Sequence, residues 1–218
     1  MTPALAAVYD ALVERAASGP LRPRADRLRA RFRRRAGAFE SSHPRAEARE
    51  AAAWDTALVG GGLARELGPT LEGERERELA ALLGRAQRGL FRLVVAHGAV
   101  YAEDQWRGGA FVLLAADDVA RGARAALPSG ASFVGHIAAA ADGCALLPGL
   151  LWLPEEAAPH LGALLDEARS LGAPFDDVAD ALLRMDHALA TLARVRAQYA
   201  FRLAALEPAL FALADEGA

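Results

Sequence analysis

The sequence predicts an α+β fold that is mostly helical, with a small five-stranded antiparallel barrel-like sheet (OB-like or SH3-like) inserted between N-terminal and C-terminal helices. Three observations carry this. Apolar residues recur every three to four positions up to about residue 90. From Phe91 to Leu153 they alternate instead, between Gly-containing turns. The helical spacing returns at Pro154. The expected regions are 1–90 (helical), 91–153 (barrel-like) and 154–218 (helical), and 218 residues suffice for all three to share one compact domain.

The elements follow in order. Thr2 caps a first helix, Pro3 suits its first position and Gly19-Pro20 ends it; Leu5, Val8, Tyr9, Leu12 and Val13 share one face. A second helix, 23–36, buries Leu21, Ala25, Leu28, Phe32 and Ala36 and is otherwise almost solid Arg. A third opens at Pro44 and runs to about Val59 with Trp54 as its large apolar anchor, until Gly60-Gly61-Gly62 interrupts. A short piece, 63–67, stops at Gly68-Pro69. Thr70 begins the next helix, acidic in its first turns and buried through Leu79, Leu82, Leu83 and Ala86.

The expected strands are 92–96, 99–104 after a His97-Gly98 turn, 110–114 after Arg107-Gly108-Gly109, 131–139, and 144–147 after an Asp142-Gly143 turn. Leu150 to Leu153 continues the last strand or crosses an edge. Asp117 or Asp118 caps a short helix between the third and fourth strands, ending before Pro128. Pro154 opens a helix that stops at Gly172. Asp176 or Asp177 begins the longest helix, whose stripe Val178, Leu182, Met185, Leu189, Leu192, Val195, Tyr199 covers about six turns. That stripe is expected to pack on the N-terminal helices or on a second copy of the chain. A short helix, 208–214, follows.

Composition narrows the chemistry. The chain is 53% apolar and 24% charged, the balance of a folded protein. All 25 basic residues are Arg; Lys and Asn are missing, Ile137 is the only Ile, and about a quarter of the chain is Ala. This is the mark of a GC-rich coding sequence, so Arg in place of Lys is not by itself a sign of phosphate recognition. Without Lys, neither a Walker-type phosphate loop nor a Lys Schiff base can form. Cys144, the single cysteine, excludes an intrachain disulfide and a Cys-rich zinc site, and its apolar strand suits a buried, inert thiol. There is no Gly-x-Ser-x-Gly elbow, and the glycine triplet follows a helix rather than a strand, unlike a dinucleotide fingerprint. The pairs Asp117-Asp118, Glu155-Glu156 and Asp176-Asp177 fall at helix starts, where capping and the macrodipole account for them. The start of the chain has no signal-like basic and apolar run, and no apolar stretch is long enough to span a membrane, so cytoplasmic location is the expectation.

Three features remain as candidates. The arginine helix offers Arg24, Arg27, Arg31, Arg34 and Arg35 to an anionic partner, unless Glu47, Glu50 or the acidic block Glu72 to Glu78 neutralises them. The barrel aromatics Phe91, Tyr101, Trp106, Phe111, Phe133 and Trp152 either stack bases or fill the barrel's own core; Trp106 and its neighbour Arg107, in a turn, are the most exposed of the set. The five histidines lack His-Glu-x-x-His spacing; a site built in space from His160, His187 and a carboxylate is the one metal arrangement to test. No metal or other cofactor is expected.

The expectation is therefore a non-enzymatic binding or scaffold protein, meeting a protein partner or a second copy of itself through apolar and Arg-rich surface. The alternative is a nucleic-acid-associated protein using the arginine helix and barrel, against which the net charge of −3 weighs. An enzyme with a dispersed His and acid site comes last.

Overall fold

The computed structural model describes residues 1–113, 130–140, 143–192 and 196–215, with side chains to residue 210. The expected short helix after Asp117-Asp118, the Asp142 turn position and Val195 lie outside the described residues.

Five helices come first: α1 (Pro3–Ser18), α2 (Arg22–Ala36), α3 (Ala46–Leu58), α4 (Leu63–Leu67) and α5 (Glu74–Leu83). Thr2 caps α1 as expected, its hydroxyl accepting from Leu5 N at 3.4 Å. α3 starts two residues after Pro44. α5 starts at Glu74 rather than Thr70, because residues 68–70 form a 3-10 turn after α4. Trp54 is only half-buried on α3, with Arg29 stacked 4.2 Å above its ring. The fully buried polar positions of that helix are two charged ones, Arg49 and Asp55.

The sheet follows: β1 (Gln87–Ala96), β2 (Ala99–Asp104), β3 (Ala110–Val112), β4 (Ser132–Ala140), β5 (Gly143–Leu146) and β6 (Leu151–Trp152). The expected turn at His97-Gly98 is present, with φ of 50° and 78°, the positive pair that a two-residue hairpin needs. The pairing order is β3-β2-β1-β4-β5, all antiparallel, and β6 adds to the start of β4. A parallel bridge between Leu113 and Cys144 brings β3 to β5, curling the sheet into a half-barrel. The sheet is thus barrel-like, as expected.

β1 makes the barrel possible. Its second half, from Phe91, pairs with β2, while its first half, Gln87 to Arg92, pairs with β4. The strand thus begins four residues before the change of period at Phe91. Leu90 enters a helical core with Val134, and the adjacent Phe91 enters the barrel core with Phe133 and Ile137. β4 is buried on both faces for the same reason. Each such large apolar side chain contributes about 1.5–3 kcal/mol on burial.

After a 3-10 turn at 155–157 come α6 (Ala158–Ser170), α7 (Phe175–Thr191), α8 (Ala197–Ala200) and α9 (Leu203–Asp215). α7 buries Val178, Leu182 and Met185 in a core shared with Phe32 and Ala36 of α2, so the expected packing on the N-terminal helices is present. The long stripe is shorter than expected. α7 ends at Thr191, Leu192 is extended and 57% exposed, and Tyr199 sits on α8. α9 starts before Pro208, which lies inside it. None of the described helices is long and apolar enough to cross a membrane.

Two buried polar clusters tie these layers. Tyr9 Oη donates to Asp55 Oδ1 at 2.7 Å and Gly149 N donates to Asp55 Oδ2 at 2.9 Å, joining α1, α3 and the β5–β6 connection. Burial nonetheless pushes the Asp55 carboxyl up to about 7. Arg49 donates to the carbonyls of Ala36 and Leu183 and to Asp186 Oδ2, and Arg45 donates to the same carboxylate at 3.0 Å.

Candidate anion-binding cleft and arginine face

α2 is amphipathic, so its arginines sort by position. Burying Phe32 and Ala36 turns Arg35 inward, where it donates to Asp180 at 2.6 Å and pairs with Asp177. Burial acts to lower the Arg35 pKa, but the two carboxylates outweigh it and raise it. Arg29 and Arg33 pair with Glu50 of α3, and these pairs overcome burial to hold that carboxyl below its ordinary value. Arg24 pairs with Glu66 at 2.5 Å and donates to the Gly61 carbonyl, while Arg22 meets Asp26. Glu50 is thus one of the expected neutralising acids. None of the acids from Glu72 to Glu78 pairs with α2 among the described residues; Glu78 pairs with Arg75.

Arg27, Arg31 and Arg34 remain. All three are exposed and have no ion pair among the described residues. They stand at i, i+4 and i+7, a single stripe on the solvent side of α2, beside Arg24 and Leu28.

Beside this stripe, α2 and the start of the barrel border a cleft of about 950 Å³. Its walls come from α2, the glycine turn after α3, the segment joining α5 to β1, and the first turn of α7. Gly61 suits this tight turn, since a Cβ there would lie 2.5 Å from the Ala57 carbonyl oxygen. Six arginines line the cleft: Arg31, Arg35, Arg65, Arg85, Arg88 and Arg107. Three aspartates face them: Asp176, Asp177 and Asp180. Arg88 donates to Asp180 at 2.6 Å and to Asp176 at 3.4 Å, and these carboxylates outweigh burial in raising its pKa. Arg107 pairs with Asp104 at 3.1 Å and stacks over Phe175. Arg31, Arg65 and Arg85 have no counter-ion among the described residues.

The cleft floor carries His136, 4% exposed. It stands directly across from Arg88 in the β1–β4 register, so both side chains leave the same face of the sheet. Burial, with Arg88 adding to it, pushes the imidazole down to about 3 and keeps it neutral.

The candidates from sequence thus fall into different surroundings. Arg27, Arg31 and Arg34 form the free stripe, Arg31 also reaches the cleft, and Arg24 and Arg35 are paired. Trp106 is half-buried rather than displayed: it packs 5.9 Å from Phe175, with Arg169 4.9 Å over its ring. Phe91 and Phe133 fill the barrel, 5.5 Å apart. His187 stacks on His43 at 5.3 Å, whereas His160 lines a separate groove with Leu189 and Arg196. No group of three or more His, Cys, Asp or Glu able to hold a metal ion occurs among the described residues. Arg65, Arg85, Arg88 and His136 escaped sequence reasoning because they come from three separate stretches of chain; only the β1–β4 register brings Arg88 and His136 together.

No protein-family model, curated protein or solved structure matches the chain.

Proposed function

We propose that this chain is a cytoplasmic, non-enzymatic binding protein that docks an acidic surface of a protein partner along α2. One observation carries the reading: the fold neutralises Arg22, Arg24, Arg29, Arg33 and Arg35, while Arg27, Arg31 and Arg34 form a stripe with no ion pair among the described residues. A chain of net charge −3 has acids to spare, yet none of those described covers this stripe. Carboxylates at helical spacing on a partner match guanidinium forks four and three residues apart. The buried free thiol of Cys144 suits a reducing compartment.

The test is fluorescence polarisation of the full chain with a labelled Glu-rich helical peptide and, separately, a labelled single-stranded oligonucleotide. The peptide is expected to bind at low salt and to weaken about tenfold or more in Arg27→Glu/Arg34→Glu. An unchanged affinity in that variant overturns the reading. Tighter binding of the oligonucleotide, with a log–log salt slope near −2 (about 0.7 per phosphate contact), replaces it with nucleic-acid association.

A further inference from the structure

We propose that the cleft between α2 and the barrel is a binding site for a small phosphorylated molecule with an apolar body, its phosphate held by Arg31, Arg65 and Arg85 and reaching the His136 imidazole. The site is distinct from the docking stripe and shares only Arg31 with it.

Three free guanidinium groups from three different segments face one cavity, and no described carboxylate pairs with them. Like charges gathered this way repel, and an anion seated among them relieves the repulsion while accepting several charge-assisted hydrogen bonds. Arg35 and Arg88 are already satisfied by aspartates, so they form a fixed floor and leave the ligand to the free side.

His136 adds an uncharged polar group to the cleft wall. It is 4% exposed and lines the same cleft as the three free guanidinium groups. A neutral imidazole offers one N–H donor and one acceptor. A phosphate monoester near neutral pH presents both a charged oxygen and, in its singly protonated form, an O–H, so it can use either.

The size points to more than inorganic phosphate. A volume of about 950 Å³ is at the upper end for small-molecule sites. Leu28, Phe32, Val59, Ala86 and Pro174 supply apolar wall for the rest of the ligand. The aspartates at one side oppose a string of phosphates, which favours a compact ligand over a nucleic-acid backbone.

Calorimetric titration of the full chain with ADP, pyrophosphate and adenosine at low salt tests this. ADP is expected to bind more tightly than pyrophosphate, and adenosine more weakly than either. Arg65→Gln/Arg85→Gln, both exposed and outside the stripe, is expected to weaken ADP about tenfold or more. Arg27→Glu/Arg34→Glu is expected to leave ADP binding unchanged, which separates failure of this site from failure of the docking face. In the unmodified chain the His136 ring resonances are expected to shift as ADP is added. Absence of ADP and pyrophosphate binding, ADP binding indifferent to loss of Arg65 and Arg85, or unmoved His136 resonances overturns the proposal.

Discussion

Tyr9 donates its phenolic hydrogen to Asp55 across 2.7 Å, inside a core where the Asp55 carboxyl is fully buried. That carboxyl takes up a proton near pH 7 in the folded chain, against an ordinary value of 3.8. Its stabilising contribution is therefore complete below about pH 4 and is lost as pH rises through about 7, an amount of up to about 4 kcal/mol. His136 has the opposite sign. Its folded value near 3 lies below the ordinary 6.5, so its contribution is complete above 6.5 and is lost as pH falls toward 3.

The two groups offset each other between pH 4 and 6.5. Asp55→Asn is expected to expose the histidine's effect, giving a chain that loses stability faster on acidification than the unmodified one. His136→Gln is expected to do the reverse. Urea midpoints measured from pH 4 to 8 check both; parallel pH profiles for the unmodified chain and both variants would refute the offset.

Arg49 is buried and holds two backbone carbonyls as well as Asp186. Arg49→Met leaves those carbonyls orphaned and is expected to cost about 3–5 kcal/mol. Arg45→Met is expected to cost about 1 kcal/mol, since Arg45 is a third exposed and Arg49 still faces the carboxylate. Equal losses of stability for the two would contradict this ranking.

Two glycines make opposite forecasts. A Cβ on Gly149 would stand 2.3 Å from Ala52 Cα, and backbone cannot yield to it, so Gly149→Ala is expected to destabilise by about 1–3 kcal/mol. Gly162 lies within α6 with nothing inside 4 Å of its added carbon, so Gly162→Ala is expected to stabilise by about 0.5–1 kcal/mol. Thermal melts of the two single variants check the signs.

Glu50 is shared by Arg29 and Arg33. Glu50→Gln is expected to leave Arg33 without an acidic partner and Arg29 with Asp26 alone, and to tighten the acidic peptide severalfold at low salt. Unchanged peptide affinity would mean that this part of α2 lies outside the docking face.

The periodicities carried much of the fold. α1, α2 and β2 stand within a residue or so of where spacing and caps put them, because each buries one face only. The errors fall where a local rule lost to tertiary context. Spacing alone starts β1 near Phe91 because Gln87 to Leu90 do not alternate, and they need not, since the two faces of that strand enter different cores. Spacing alone overextends the helix from Asp176, because Leu192 and Tyr199 continue a stripe whose core ends near Leu189. Of the site, the α2 arginines could be read directly, but which of them stay free depended on Glu50, Glu66 and Asp180, acids that folding brings from elsewhere. Asp55 and Arg49 were invisible, because a charge on a helix is by default assigned to water.

β1 has one further consequence. With β2 on one edge, β4 on the other, Leu90 in the helical layer and Phe91 in the half-barrel, the strand belongs wholly to neither. A barrel cut out of this chain would carry a strand stripped of half its burial, and the helices would keep an uncovered wall. The two layers are expected to melt together, and recombination that moved one without the other is expected to leave both short of core.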